Sequence, residues 1–265
     1  MDTGNIDTVK IHNKKFSLKH LIILIIILVI ILAIIISVSQ FTFKKIYSPP
    51  TALVSILPRF RIVDMDNIGI TSDRDNDGIN DQKDTLIGAR KQLDIGARNI
   101  FIQGSGESNY YSGGDPPPEL AICTDIVARA FREAGFNLRD LVNENIVKNF
   151  NSYPLRQIWG QNVADSNIDY RRIQNMEIFF KRNANVLLTN FNSSDYKNLE
   201  AWLLGDVVFF DMDKDGYSDN VGILSDKTTR KGILKVIYNY IDPGYTIEKD
   251  ILGKVKITGH FRYPR

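Results

Sequence analysis

The chain has 265 residues, with 33 Lys and Arg against 31 Asp and Glu and a net charge of +2. This length is enough for one membrane segment and one globular domain of ordinary size. Because the charges are nearly balanced and form no basic stripe, the composition argues against nucleic acid as a partner.

An apolar run begins at Leu21 and extends to residue 38, which is about the length that spans the hydrocarbon core of a membrane. Four lysines precede the run, whereas only Lys44 and Lys45 follow it closely. The positive-inside rule predicts that residues 1–20 are a cytoplasmic tail and that residues 21–38 are a single-pass signal anchor with the remainder extracytoplasmic. A cleaved signal peptide is the alternative, but the run is long for a signal core and lacks a clear cleavage site.

A stalk or linker is predicted for residues 39–69, because prolines interrupt any regular pattern there. An acidic loop follows at residues 70–84, and residues 85–265 are predicted to form the folded domain. Apolar residues recur at helical spacing in several segments of the chain. The predicted helices are Gln82–Arg98, a segment from Cys123 to Gly135, Leu138–Phe150 and Met176–Arg182.

After about residue 205 the period changes, and β-branched or aromatic runs are divided by turn residues. The predicted strands are Asp206–Phe210, Val221–Leu224, Ile233–Tyr238 and Lys254–Arg262. Helices followed by consecutive strands are typical of α+β domains. The order of the elements therefore predicts an α+β fold class.

Cys123 is the only cysteine of the chain and directly follows a proline-rich segment. Prolines cannot lie inside a helix, whereas the residues after Cys123 have helical spacing, so Cys123 is predicted to begin a helix. Unsatisfied backbone N–H groups and the positive end of the helix dipole favour a thiolate there, which is the nucleophilic form. The alternative is a buried, inert thiol.

The first acidic loop matches the spacing of an EF-hand-like calcium loop, with Gly78 at the sharp turn. Its predicted ligands are Asp73, Asp75, Asp77, the backbone carbonyl of Ile79, Asp81 and Asp84. The loop lacks the bidentate Glu of a sensor EF-hand and an obvious entering helix. The alternative is a solvated acidic linker.

The same spacing recurs in a second acidic loop, between two predicted strands. Its candidate ligands are Asp211, Asp213, Asp215, the backbone carbonyl of Tyr217 and Asp219. The twelfth position is Gly222, which cannot bind a metal, and a hairpin loop shaped by its Asp and Gly residues is the alternative. In either loop Ca²⁺ would be structural, and no cofactor is expected to take part in catalysis.

Several collinear segments between about residues 85 and 265 resemble the YijF-like bacterial domain of unknown function. They are Gly113–Pro116, Cys123–Val127, Asn167–Arg172, Gly205–Val208, Val221–Asp226 and Thr258–Tyr263. That family is similar to the NlpC/p60 group of papain-fold cysteine peptidases and amidases. The resemblance implies a papain-like domain with helices packed on an antiparallel sheet and Cys123 as nucleophile. It also implies that peptide or amide bonds, most plausibly in cell-wall peptidoglycan, are the substrate.

The chain departs from this pattern at the predicted catalytic histidines. Asn220 occupies the position of the first histidine and Tyr238 that of a second, and neither is a base at neutral pH. His260 is the remaining candidate base, because His12 and His20 belong to the amino-terminal tail. The alternative for His260 is a strand histidine hydrogen-bonded to the backbone.

Four charged residues near the motifs are candidates for substrate binding, namely Asp125, Asp169, Arg171 and Arg172. A guanidinium group at residue 171 or 172 has the fork geometry that binds a substrate carboxylate. The alternative is a salt-bridged structural turn.

Three functions are compatible with the sequence. The first is a membrane-anchored cysteine hydrolase that acts on the cell wall, and the second is a catalytically silent relative that binds cell-wall peptides. The third is a calcium-dependent structural or adhesion protein. The sequence leaves the oligomeric state open.

Overall fold

The computed structural model describes residues 25–32, 59–102 and 109–264. The chain divides into two compact units, Met1–Leu57 and Pro58–Arg265. All strands and the helices named below belong to the second unit. The predicted tail and most of the predicted stalk lie outside the described residues.

The predicted transmembrane helix at residues 21–38 is wrong for the part of the chain that the structure describes. Within that run residues 25–32 are described, and they are helical and exposed. Among the described residues, no helix combines the length and the apolar character needed to cross a membrane.

The described part of the second unit contains α-helices of very different lengths. They are α1 (Asp81–Ile95), α2 (Cys123–Glu133), α3 (Leu138–Lys148), α4 (Leu155–Trp159), α5 (Ile173–Asn183) and α6 (Tyr196–Ala201). Short 3₁₀ turns occur at Asp66–Ile68, Phe150–Ser152 and Asp169–Arg171.

The strands form a large antiparallel sheet and a small parallel pair. They are β1 (Arg59–Phe60), β2 (Arg98–Asn99), β3 (Leu120–Ala121), β4 (Asn185–Val186), β5 (Val207–Asp211), β6 (Asn220–Thr228), β7 (Leu234–Asn239), β8 (Thr246–Lys249) and β9 (Lys256–Arg262). The order in the main sheet is β4-β9-β5-β6-β7-β8, and β1 also pairs with β6. Strands β2 and β3 pair in parallel.

The predicted fold class, a papain-like (NlpC/p60-like) α+β domain in which helices precede an antiparallel sheet, is wrong. The structure is a mixed α/β fold in which strands alternate with helices along the chain. Strand β1 precedes every helix of the second unit and β4 lies between α5 and α6, and both strands join the main sheet. Strands of two residues have no detectable period, so the sequence pattern could not reveal them.

The ends of α1 and α2 follow from local chemistry. The side chain of Asn80 accepts a hydrogen bond from the backbone N–H of Lys83 and caps the start of α1. Gly96 ends α1 in the left-handed conformation, at a φ of 63°. Helix α2 begins at Cys123, as its sequence predicts, and ends one residue before Ala134.

The main sheet separates two apolar clusters, because side chains on a strand alternate between its faces. The helix-side cluster contains Val221 and Ile223 of β6 together with Ile126 of α2. The far-side cluster contains Leu224 of β6 together with Trp202. Ile223 and Leu224, which are adjacent in β6, therefore pack on opposite faces of the main sheet.

Helices α1 and α2 pack closely at Gly88. A Cβ atom at this position would lie 2.5 Å from the carbonyl oxygen of Ala130 and 2.8 Å from its Cα atom. Such contacts are shorter than any van der Waals separation, so only glycine permits this distance between the helices. The contact joins the helix that follows the first acidic loop to the helix that begins at Cys123.

We expect Gly88→Ala to lower the free energy of unfolding by about 1–3 kcal/mol, because the added methyl group overpacks the contact between α1 and α2. Urea denaturation of the full chain measures this change. Asp94→Ala, at an exposed position of the same helix, is the control and should change stability by less than about 0.5 kcal/mol. Equal effects of the two substitutions would contradict the close packing.

Candidate functional site

A buried arginine orders the proline-rich segment that leads to Cys123. Prolines have no N–H group, so the segment cannot stabilise itself by donating backbone hydrogen bonds. The guanidinium of Arg129 supplies donors instead, at 2.8 Å from the carbonyl oxygen of Pro116 and 3.2 Å from that of Leu120. Its Nε atom also donates to Asp115 at 3.1 Å. One side chain of α2 therefore fixes the entry to its own helix.

Asp125 and Arg171 form a buried bidentate ion pair beside Cys123. The Nε–Oδ1 and Nη2–Oδ2 distances are 2.6 and 2.9 Å, and both side chains are fully buried. Asp125 also accepts a hydrogen bond from the backbone N–H of Ile122, and the hydroxyl of Thr124 donates to the carbonyl of Arg171. The pair joins the start of α2 to the 3₁₀ turn, and its predicted role in binding substrate stays a prediction.

Asp169 and Arg172 form a second pair in the same turn, with an Nη1–Oδ1 distance of 2.9 Å. Burial raises the pKa of Asp169 although its carboxylate also accepts a hydrogen bond from the backbone N–H of Asp165. The guanidinium of Arg172 lies 4.2 Å from the centre of the Trp159 ring. The predicted contact of these two residues with a substrate stays a prediction.

The thiol of Cys123 lies against β6, where burial disfavours the thiolate. Burial, followed by the charges of Asp125 and Asp219, raises its pKa to about 12, although backbone N–H groups of Val221 and Thr124 act in the opposite direction. Desolvation thus outweighs the helix terminus that favours a thiolate. At neutral pH the sulfur is a protonated thiol on a residue that is partly exposed.

The two residues at the predicted histidine positions lie on the main sheet. Asn220 is the first residue of β6, and its Nδ2 donates to the carbonyl oxygen of Asn239 at 3.3 Å. Its Oδ1 is buried and has no hydrogen-bond partner among the described residues. Tyr238 pairs with Gly222 and packs in the far-side cluster, where burial raises its pKa.

Tyr240 is a neighbour of the thiol that the motifs do not identify. Burial, together with the charges of Asp219, Asp213 and Cys123, raises its pKa, and its side chain forms a hydrogen bond with Asp219. Tyr240 and Asp219 are both partly exposed. Tyr240 directly follows the last residue of β7, and no motif of the sequence marks it.

His260 lies on the other side of the sheet and is held by three contacts. Its Nε2 and Nδ1 atoms are 2.9 Å from Asp206 Oδ2 and from the carbonyl oxygen of Leu188. Its ring stacks on Trp202 of the far-side cluster, at 4.0 Å between ring centres. Both ring nitrogens of His260 are therefore engaged by acceptors within the protein. His260 is therefore not placed to act as the base for Cys123, which packs against the helix-side cluster.

Asp206 is the centre of this buried network. Its carboxylate also binds Arg262, with Nε–Oδ1 and Nη2–Oδ2 distances of 2.7 and 2.8 Å, and accepts from Gln82 at 2.7 Å. Burial alone would raise the pKa of Asp206, but hydrogen bonds from His260 and Arg262 outweigh it and lower the pKa. The motifs near residues 206 and 260 thus form a structural network apart from Cys123.

Both acidic loops bring carboxylates together. Within each of two trios, one oxygen from every member lies within 4.8 Å of the others. The trios are Asp73, Asp75 and Asp77 in the first loop and Asp211, Asp213 and Asp215 in the second. Of the remaining predicted metal ligands, Asp81 and Asp219 accept hydrogen bonds from backbone N–H groups of their own loops.

In the second loop these internal contacts are extensive. The carboxylate of Asp219 accepts from the backbone N–H groups of Met212 and Asp213, at 2.9 and 3.0 Å. Lys256 Nζ lies 3.1 Å from Asp211 Oδ2 and supplies a positive charge to the loop. The backbone N–H of Tyr217 donates to Asp215 at 2.8 Å.

Comparison with known proteins identifies the family. Residues 89–263 match the family described as Domain of unknown function (DUF1287), and the chain belongs to this family. The chain is also 38% identical over 176 residues to the "Uncharacterized protein YijF" of Escherichia coli (strain K12). The matched segment covers 66% of this chain and 78% of that protein. The predicted YijF-like domain is confirmed, whereas a resemblance to the NlpC/p60 group is not shown by these matches.

Two solved structures of an N-acetylmuramoyl-L-alanine amidase from Bacteroides uniformis ATCC 8492 are similar to the chain at 10% sequence identity. They cover 68% and 70% of this chain and 98% and 99% of their own. The TM-score is 0.38 for both. A similarity of this size establishes neither a shared fold nor a shared activity.

We expect Cys123 to react with iodoacetamide roughly a thousandfold more slowly in the folded protein than in the unfolded chain at pH 7.5. A pKa of about 12 instead of the ordinary 9.0 leaves about a thousandth of the usual thiolate. Mass spectrometry of the intact chain, with and without urea, gives both rates, because the chain has one cysteine. A folded protein that reacts as fast as the unfolded chain would contradict the raised pKa, and one that reacts faster would show an activated thiol.

We expect Asp206→Asn to cost about 3 kcal/mol of stability at pH 7, because it leaves the partly buried Arg262 without its ionised partner. The lowered pKa of Asp206 stabilises the fold above the unfolded pKa of about 3.9, and this contribution is lost as the pH falls through the folded pKa. Urea denaturation between pH 7 and pH 3 should give a steeper loss for the unaltered chain than for the variant. If the free energies of unfolding of the two proteins fell equally over this pH range, the result would contradict a contribution from the lowered pKa of Asp206.

Proposed function

We propose that the domain binds cell-wall peptides at the Cys123 site without hydrolysing them. One observation carries the proposal, namely a thiol that is protonated at neutral pH and has no base beside it among the described residues. A cysteine attacks an amide bond only as a thiolate, and a neighbouring base normally removes its proton. The site supplies a cysteine at a helix start without the partner that turnover requires.

The other groups near the thiol do not replace that base. The amide of Asn220 cannot take up a proton at neutral pH, and the phenol of Tyr240 is already protonated below its raised pKa. The Asp219 carboxylate already accepts two backbone hydrogen bonds. Its charge also raises the pKa of the thiol, which opposes formation of a nucleophile.

The surface chemistry of the site supports a peptide as its ligand. Cys123, Asp219 and Tyr240 are partly exposed residues, and Asp219 and Tyr240 bring a carboxylate and a phenol to the site. Burial and the charges of Asp213 and Asp211 raise the pKa of Asp219. The hydrogen bonds that its carboxylate accepts therefore do not fully offset the cost of its negative charge. The amide N–H and amino groups of a peptide are donors that match this carboxylate. The cell wall as the source of the peptide follows from the predicted extracytoplasmic location, which is itself part of the proposal.

The test uses the full chain and purified cell-wall peptides that carry a free amino group. Calorimetry measures binding, and chromatography with mass spectrometry detects cleaved products. We expect binding with no product, at least a tenfold loss of affinity in Asp219→Asn, and no change in Asp94→Asn, which removes an exposed carboxylate of α1.

Cys123→Ala separates binding from catalysis. We expect its affinity to stay within about threefold of the unaltered chain, because no bond to sulfur forms. Products that appear with the unaltered chain and disappear in Cys123→Ala would overturn the proposal and identify a hydrolase. Absence of binding to any peptide would overturn it as well.

A further inference from the structure

We propose that the first acidic loop is a Ca²⁺ site whose ligands are the carboxylates of Asp73, Asp75, Asp77 and Asp84 and the backbone carbonyl of Ile79. The site lies apart from the proposed peptide site and does not depend on it. Its proposed ligands come from the loop and from the first turn of α1.

The backbone of the loop turns the carboxylates toward one another. Asn76 and Gly78 have φ values of 62° and 90°, which place both in the left-handed region. Backbone N–H groups of Asp77 and Gly78 donate to the two oxygens of Asp73, at 3.2 and 3.0 Å. The resulting trio of carboxylates, which includes Asp75, has ligand atoms within 4.8 Å of one another.

A fourth carboxylate supplies independent evidence for a bound cation. Asp84 is 2% exposed, and its Oδ2 atom has no hydrogen-bond partner among the described residues. A buried carboxylate without a donor or counter-charge is costly, and proteins compensate such groups with a partner or a metal. The loop pattern places Asp84 at the twelfth position, where a calcium loop closes on its ion.

Asp84 adds a buried negative charge next to this trio, because it lies in the first turn of α1, which directly follows the loop. The loop and that turn bring Asp73, Asp75, Asp77, Asp81 and Asp84 into one short segment. Four acidic neighbours around one buried acid repel it in the absence of a cation. A divalent ion at their centre would convert each of these repulsions into an attraction.

Asp81 is better assigned to positioning than to binding. Its two oxygens accept hydrogen bonds from the hydroxyl of Ser72 and from the backbone N–H of Arg74. These contacts fasten the loop to the first turn of α1. The predicted ligand set is therefore reduced by one side chain.

The second acidic loop differs from the first in the charge next to its buried carboxylate and serves as an internal comparison. Its Asp211 has one oxygen without a partner, but the other oxygen is paired with Lys256. Gly222 stands at the twelfth position, where no side chain is available. A lysine thus supplies in the second loop the charge that a metal ion would supply in the first.

The set of ligands favours Ca²⁺ over Mg²⁺. All of its members are oxygens, and one is a backbone carbonyl, which suits an ion that takes six to eight oxygen ligands with irregular geometry. Mg²⁺ requires near-octahedral geometry and retains most of its water. The predicted order of affinity is therefore Ca²⁺ above Mg²⁺.

The loop contacts the carboxyl end of α2, so binding should stabilise the domain. The Nε atom of Arg74 donates to the carbonyl oxygen of Gly135 at 3.0 Å, and its guanidinium lies 4.8 Å from the Phe136 ring. A ligand that binds only the folded loop raises stability with its concentration.

The experiment measures calorimetric binding of CaCl₂ to the chelator-treated full chain and its melting temperature with and without the ion. We expect one Ca²⁺ per chain and a rise of about 5–10 °C at a hundredfold excess over Kd. Asp84→Asn should lower the affinity at least tenfold. Asp213→Asn, the counterpart of Asp75→Asn in the second loop, should leave affinity and stoichiometry unchanged.

A second variant guards against a folding defect. Asp75→Asn changes an exposed residue and keeps an oxygen that can accept the backbone N–H of Asp77, so it should fold and still lose affinity at least tenfold. Absence of heat and of a melting shift with the unaltered chain would overturn the proposal. So would loss of binding in Asp213→Asn with retention in both Asp84→Asn and Asp75→Asn.

Discussion

The buried ion pair between Asp125 and Arg171 is the interaction on which the arrangement around Cys123 depends. Each charge would be costly alone, so the start of α2 and the 3₁₀ turn at residues 169–171 are held together. Arg129, one turn further along α2, donates to the carbonyl oxygen of Pro116 in the preceding proline segment. The cysteine is therefore positioned by two arginines, neither of which contacts its sulfur.

The main sheet divides the motifs of the sequence into two groups with different roles. One group surrounds Cys123 on the helix side, and the other forms the Asp206 network on the far side. A sequence that contains a cysteine and a histidine invites their assignment as a catalytic pair. In this fold the sheet lies between them, and His260 is fully occupied by Asp206 and a backbone carbonyl.

Much of the local structure was predictable, because long amphipathic helices and β-branched strands have clear periods. The start of α2 at Cys123 and the strands β5, β6, β7 and β9 agree closely with the sequence patterns. Two-residue strands such as β1 and β4 have no period, and their omission made the predicted fold class wrong. The raised pKa of Cys123 could not be predicted from the sequence, because desolvation depends on side chains that approach from distant segments. Tyr240 was missed because no motif marks it.

The enclosed sulfur has a consequence for the chemistry of damage. Peroxides oxidise thiolates, and the first product, a sulfenic acid, leads on to disulfides or to irreversible acids. A thiol with a pKa of about 12 presents almost no thiolate at physiological pH and so resists this sequence of reactions. The same environment that removes nucleophilic power therefore protects the lone cysteine from oxidation.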